Sequence, residues 1–269
     1  MKRSKLIMLL VVQVCISCEM KFKPAGEEEV FSHFEVVRYD RLENRFLTTG
    51  DYSAIQQMCT DYPMETRMLL EDMLKIGEVN DPEINSKFLN FFQDTTLQHI
   101  LTEVGLQYVN MEDINQEFVK SFKYLRRWIP DIKIPLIYTQ IGDLSQSIVV
   151  GDQSIGISLD KYLGVDFPVY SKFYNEVQRR SMCREMIVAD CLTFYLISLY
   201  PMKNLDFVVQ TDRDLYMGKI MYVVNKATGR KSYDTKFVSI IERYMDKNPY
   251  LTIAGLLNME DYDDFLLAD

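Results

Sequence analysis

Residues 134–159 read IPLIYTQIGDLSQSIVVGDQSIGISL, and their apolar side chains follow the period of two that is typical of strands. Residues 134–140, 147–150 and 155–159 are predicted to form three short β-strands. Gly151 and Asp152 separate the last two runs, and a Gly-Asp pair is typical of a tight turn. We therefore expect the second and third strands to form a β-hairpin.

On both sides of this stretch the apolar residues recur every three or four positions, which predicts helices. The best formed helix before it starts at Asn110 and is stopped by Pro130. A short strand is expected near the amino end, over residues 35–39. After the stretch, helices are predicted over residues 173–199, 212–225 and 233–246.

These elements predict one α+β domain, helix-rich and with a small sheet, over residues 31–269. The sequence shows no second linker and no internal repeat within that range. About 240 residues are enough to bury one sizeable hydrophobic core.

The composition excludes several functions. The 269 residues carry 30 basic and 39 acidic side chains, and the net charge of −9 has the wrong sign for a nucleic-acid partner. The two histidines, His33 and His99, are not spaced as in a zincin helix, which carries two histidines four residues apart. The sequence also has neither a Gly-x-Ser-x-Gly motif nor a phosphate-binding glycine loop. We therefore expect no catalytic residues, no bound metal and no cofactor.

The first 18 residues resemble the export signal of a bacterial lipoprotein. A basic start precedes an apolar run over residues 6–16, which is too short to span a bilayer as a helix. Ser17 places a small residue directly before Cys18, as in a lipobox. We expect residues 1–17 to be a cleaved signal peptide, Cys18 to carry diacylglycerol and a palmitate-like acyl chain, and residues 18–30 to form a tether. An uncleaved anchor helix and an ordinary secretory signal are the alternatives.

Cleavage would make the net charge of the protein more negative. The removed segment contains three bases, Lys2, Arg3 and Lys5, and no acid, so the mature chain would have a net charge of −12. Anionic headgroups would repel such a chain, so the lipid on Cys18 is the expected link to the membrane.

Three cysteines would remain unmodified: Cys59, Cys183 and Cys191. An odd number argues against a disulfide framework. Cys183 and Cys191 are eight residues apart on the predicted helix and would lie about 12 Å apart, which is too far for a disulfide. Buried free thiols and a bridge from Cys59 to one of the other two both remain open.

Two charges interrupt apolar helical segments. Asp190 lies within the apolar second half of the helix predicted over 173–199, and Lys219 lies in the apolar middle of the next helix. A buried charge needs a partner. We predict that Asp190 and Lys219 form a buried ion pair, most simply a structural one.

Two acidic segments allow more than one interpretation. Asp152, Asp160 and Asp166 lie close together, but their spacing does not match a calcium-binding loop, so turns and caps are favoured over calcium. Residues 260–269 contain five acids and no base, and are either a docking tail or a solvated terminal helix.

Residues 151–170, GDQSIGISLDKYLGVDFPVY, resemble the family of gliding-motility lipoprotein B (GldB), as do residues 36–40 and 217–222 and the lipoprotein signal. The most specific part of the resemblance is residues 159–170. The motif residues are Asp160, Tyr162, Leu163, Gly164, Asp166, Pro168 and Tyr170.

The resemblance implies a membrane-anchored lipoprotein of the cell envelope, associated with gliding motility and type IX secretion. It also implies a zincin-like fold that lacks the metal-binding histidines, with Asp190 on the helix that would hold the metal and Lys219 standing where the metal was. The expected partners are the membrane, through Cys18, and envelope proteins. Whether the membrane is the inner or the outer one is left open. The two histidines favour a non-catalytic interaction protein over the alternative, a divergent carboxylate-based metallohydrolase.

Overall fold

The three predicted strands are present in the structure, a computed structural model, and form one mixed sheet. They are β1 (Leu136–Gln140), β2 (Ile148–Val150) and β3 (Ser154–Ser158). β3 lies in the middle, parallel to β1 and antiparallel to β2. The β2–β3 hairpin predicted from the Gly-Asp turn is therefore confirmed.

Helices form most of the rest of the chain, so the helix-rich α+β class is confirmed. The structure describes residues 31, 34–203 and 208–266, and the predicted signal peptide, tether and Cys18 lie outside them. The helices are α1 (Tyr39–Thr49), α2 (Tyr52–Asp61), α3 (Pro63–Arg67), which continues into a π-helical segment (Met68–Met73), α4 (Ile84–Phe91), α5 (Thr95–Gln107), α6 (Glu112–Trp128), α7 (Tyr170–Phe173), α8 (Glu176–Arg179), α9 (Ile187–Leu199), α10 (Gln210–Thr228), α11 (Lys236–Lys247), α12 (Ile253–Asn258) and α13 (Asp263–Leu266).

The segment before α1 forms less strand than the sequence predicts. Val37 makes one isolated parallel bridge to Tyr138 of β1, and the chain is already helical at Tyr39. The Val37 amide donates to Ile137 O at 2.8 Å, and Val37 O accepts from the Thr139 amide at 2.9 Å. This bridge covers the outer edge of β1 at one residue, so the strand prediction over 35–39 is wrong in length but correct in place.

The long helix predicted over 173–199 is also wrong. Asn175 begins a new short helix, α8, through a capping box with Gln178, and Cys183 is extended. The chain becomes regularly helical again at Ile187. Residues 173–185 are mostly charged or polar and bury only Met182, so they have no continuous apolar face that would support one long helix, and a strong capping residue can interrupt them.

The carboxyl-terminal helices pack in a hairpin. α10 and α11 approach so closely at Gly218 that an added Cβ would lie 2.8 Å from Phe237 Cβ and 2.9 Å from its carbonyl carbon. Residues Glu35–Asp269 form one compact unit. Within the described part of the chain, no helix is both long and apolar enough to cross a membrane.

The contact at Gly218 gives a test of this packing. We expect Gly218→Ala to lower the free energy of unfolding by about 1–3 kcal/mol, because the new methyl group overlaps the Phe237 backbone. Gly105→Ala is the matched control, since Gly105 also lies in a helix but its nearest neighbour would be Asn44 Nδ2 at 3.6 Å. Urea unfolding should show a gain of roughly 0.5–1 kcal/mol for this control from its higher helix propensity. Equal shifts in both variants would contradict the close packing.

Candidate functional site

The first part of the GldB-like motif lies in the protein interior. A 3₁₀ turn at Leu159–Lys161 follows β3 and directs the Asp160 side chain inward, where it is completely buried. Its two carboxylate oxygens accept from the amides of Gly142 at 2.7 Å and Leu144 at 2.8 Å. Burial raises the pKa of Asp160 to about 6, although the amide donors oppose this shift. Asp160 therefore holds the loop that follows β1.

A second buried carboxylate holds the same loop from α1. Glu43 is completely buried and accepts from the Ile141 amide at 2.7 Å. Burial raises its pKa well above the usual value, the Ile141 amide opposes the shift, and the charges of Asp40 and Asp160 add to it. The loop after β1 is thus bound by two acids that come from distant parts of the sequence.

Tyrosines fix the backbone of the motif. The Tyr170 hydroxyl donates to Asp160 O at 2.6 Å and accepts from the Leu163 amide at 2.8 Å. The Tyr108 hydroxyl donates to Tyr162 O at 2.6 Å. Because Tyr108, Tyr162 and Tyr170 are all buried, these bonds are shielded from water and fix the position of the residues that follow.

The second part of the motif is exposed. Gly164 has a φ of +105°, which favours glycine, and its amide donates to Met182 O at 3.0 Å. Val165 is 38% exposed, and Asp166 and Pro168 are exposed. These residues form one wall of an open groove of about 720 Å³, which we call the motif groove. Its lining consists of His99, Glu103, Gln107, residues 163–168, Cys183 and Glu185.

The lining of the motif groove combines apolar and acidic side chains. Its lining includes the carboxylates of Glu103, Asp166 and Glu185 but no lysine or arginine. His99 lies with Nε2 3.8 Å from Glu103 Oε1 and with its ring 5.3 Å from that of Phe167. The surface therefore suits a ligand that carries both apolar and basic groups.

The groove does not have the features of a nucleophilic site. Burial and Glu185 raise the pKa of the Cys183 thiol, which disfavours the reactive thiolate. Across the described residues, no group of three or more His, Cys, Asp or Glu side chains is arranged to hold a metal ion. Cys59, Cys183 and Cys191 are all free thiols, but of the three only Cys191 is buried, whereas Cys183 is half-buried and Cys59 is exposed.

The predicted ion pair between Asp190 and Lys219 is wrong, because each group has other partners. Asp190 accepts from the Tyr233 hydroxyl at 2.7 Å and from the Tyr162 hydroxyl at 3.0 Å. Lys219 donates to the carbonyl oxygens of Leu257 at 3.0 Å and Met259 at 2.8 Å. Burial raises the pKa of Asp190, and the two phenol donors partly offset that effect. The motif residue Tyr162 thus joins the motif to α9.

The two acidic segments have different surroundings. Asp160 is buried whereas Asp152 and Asp166 are exposed, and the contacts of Asp160 are those of a loop-holding side chain, as the turn interpretation predicts. In the terminal segment, Phe265 of α13 is completely buried. The described part of this segment is therefore packed against the domain.

Two functional features were missed from the sequence. Glu43 gave no signal, because an acid in an amphipathic helix is usually solvated. The part of α5 that lines the groove, with His99 and Glu103, was also missed. Four-residue spacing shows that two side chains lie on the same side of a helix, but it does not show which part of the protein they contact.

A family model described as gliding motility protein GldB matches residues 25–238, which is most of the chain. No curated protein and no solved structure matches the chain. The matched range contains the complete motif, the motif groove, Asp190 and Lys219.

The buried carboxyl of Asp160 predicts a pH effect on stability. Since folding raises its pKa from 3.8 to about 6, the folded state binds the proton more tightly than the unfolded chain. Its contribution is complete below about pH 4 and is lost as the pH rises through about 6, a total of roughly 3 kcal/mol. We expect the unfolding free energy of the wild type, relative to Asp160→Asn, to fall by about this amount between pH 4 and 7.

Chemical denaturation at several pH values measures this difference. Asp152→Asn is the control, because it makes the same change at an exposed position close in sequence. Wild-type and Asp160→Asn curves that run parallel from pH 4 to 7 would contradict the role assigned to Asp160.

Proposed function

Since the chain belongs to the gliding motility protein GldB family, we propose that it is a lipid-anchored, non-catalytic envelope protein that binds a protein partner in the motif groove. The observation that carries this proposal is the division of the motif into two parts. Asp160, Tyr162 and Tyr170 are buried and hold the backbone, whereas Val165 and Asp166 are held at the surface. Such an arrangement presents a fixed loop to a partner.

The chemistry of the groove supports binding rather than catalysis. Its thiol, Cys183, has a raised pKa, and its histidine, His99, is paired with Glu103 at a long distance of 3.8 Å. Its three carboxylates are suited to attracting a basic segment, and Val165 with Phe167 offers apolar contacts to such a segment. The partner is therefore an envelope protein with a basic and apolar surface.

The anchor is proposed from the sequence at Cys18. A basic start, a short apolar run and a small residue before the cysteine support cleavage and lipidation there. The acidic body favours a link through the lipid chains over adsorption to anionic headgroups. The family description supports a role in gliding motility, and a part in type IX secretion follows from the resemblance in the sequence.

The relation to zincins stays a prediction from that resemblance, as does the alternative of a carboxylate-based hydrolase. In a zincin two metal-binding histidines project from one helix, and α9, the helix that the resemblance assigns to that place, presents Asp190 to two phenols. This pairing supports a structural role for Asp190.

The anchor can be tested by fractionation. We expect Cys18→Ala to move the protein from the membrane pellet to the soluble fraction, because the thiol that would carry diacylglycerol is removed. Cys15→Ala is the matched control and should leave the protein in the pellet, since Val14 does not provide a small residue before it. Unchanged pelleting of Cys18→Ala would place the anchor elsewhere. Separating the two membranes then identifies which one holds the wild type.

The groove can be tested by crosslinking in cells. A photoreactive amino acid at Val165 should capture one identified envelope protein, and the same residue at Tyr250, which is 97% exposed, should not. Asp166→Lys combined with Glu185→Lys should reduce this capture about tenfold or more, because it reverses two charges of the groove. Capture of the same proteins from both positions, or capture unaffected by charge reversal, would contradict the groove as the binding surface.

A further inference from the structure

Lys219 is a buried ammonium group whose charge is only weakly compensated. Its residue is 2% exposed, and its two hydrogen bonds go to neutral carbonyl oxygens at the end of α12, at Leu257 and Met259. The end of a helix carries partial negative charge, which favours a cation there. Burial nevertheless lowers the pKa of Lys219 to about 8, and Glu260 only partly opposes this shift.

Glu260 is already engaged with another cation. Its Oε1 lies 2.5 Å from Lys203 Nζ at an exposed ion pair. An ammonium group has three N–H donors, and the described residues supply hydrogen-bond acceptors for two of those of Lys219. The third N–H therefore has no hydrogen-bond acceptor among the described residues, and besides the two carbonyl groups the ammonium has tyrosine rings within cation–π distance.

The ammonium lines a cavity of about 420 Å³, which is within the usual range for small-molecule sites. The rings of Tyr216 and Tyr262 form two walls, with centroids 5.6 and 5.5 Å from Lys219 Nζ. Apolar side chains complete much of the rest: Leu199, Met202, Val208, Leu257 and Met259. The site therefore combines an apolar, aromatic surface with one buried positive charge.

We propose that this cavity binds a small monocarboxylate with an apolar or aromatic body, whose carboxylate accepts a hydrogen bond from Lys219. The body of the ligand packs between Tyr216 and Tyr262. A single available N–H donor suits a singly charged anion. The nearby carboxylates of Asp212 and Glu260 disfavour more highly charged anions such as phosphate esters.

Asp212 also orients the ligand. It lies seven residues before Lys219 in α10, which places the two backbone positions about 10 Å apart along the helix axis. The carboxylate of the ligand therefore points toward Lys219, and its uncharged end points toward Asp212.

The test compares phenylacetate with phenylacetamide, which has the same shape but no charge. In calorimetric titrations of the full chain in mild detergent, we expect phenylacetate to bind about tenfold or more tightly than the amide. Lys219→Met should abolish this difference, because methionine keeps an unbranched side chain without the ammonium. Lys226→Met is the matched control, because it makes the same change at an exposed position of α10 outside the cavity, and it should keep the wild-type preference for phenylacetate.

A photoreactive probe locates the site independently of any substitution. 4-Azidophenylacetate should label peptides that contain Tyr216 or Tyr262 in the wild-type chain, and excess phenylacetate should compete with it. This measurement and the acid-to-amide ratio of the wild type remain decisive if Lys219→Met does not fold. Equal binding of acid and amide, or labelling confined to other peptides, would overturn the proposal.

Discussion

The fold depends on one constraint, which is that two buried carboxylates bind the backbone of a single loop. Glu43 accepts from the amide of Ile141, and Asp160 accepts from those of Gly142 and Leu144. These bonds connect α1, the end of β1 and the turn after β3, which are far apart in the sequence. Loss of either acid would leave buried amides without acceptors, and buried unpaired donors are costly. The same buried hydrogen bonds therefore hold both the end of the sheet and the start of the motif in place.

That support explains how a small sheet can hold the wall of the motif groove in a fixed position. β2 and β3 have three and five residues, so the sheet has few ladder bonds of its own. Asp160 and the tyrosines of the motif add side-chain bonds at the point where the chain leaves the sheet. The wall of the motif groove begins three residues later, at Leu163. Its position is therefore set by buried bonds rather than by the loop itself.

The sequence was most informative where the local pattern decides the structure. Alternation and a Gly-Asp pair predicted the sheet and its hairpin, because a turn residue and a period of two act over short distances. The charge partners of Asp190 and Lys219 were not predictable in this way. A lone charge in an apolar helix shows that a polar partner is required, but it does not show that this partner carries the opposite charge: Asp190 bonds to phenols and Lys219 to carbonyl oxygens. The prediction of one long helix over residues 173–199 was wrong for a related reason. Asn175 caps a new short helix there, and this local capping outweighed the tendency of the segment to continue as one helix.

The bonds of Lys219 have a consequence for the order in which the chain can complete its fold. Its two acceptors lie 38 and 40 residues further along the chain. When a chain leaves a ribosome or an export channel with its amino end first, α10 emerges well before the residues that carry those two carbonyl groups. Until they arrive, the ammonium has to stay hydrated, and the surface of α10 around it cannot be sealed from water. Closure of this end of the core therefore cannot precede the arrival of Leu257 and Met259, which lie beyond residue 238, where the family match ends.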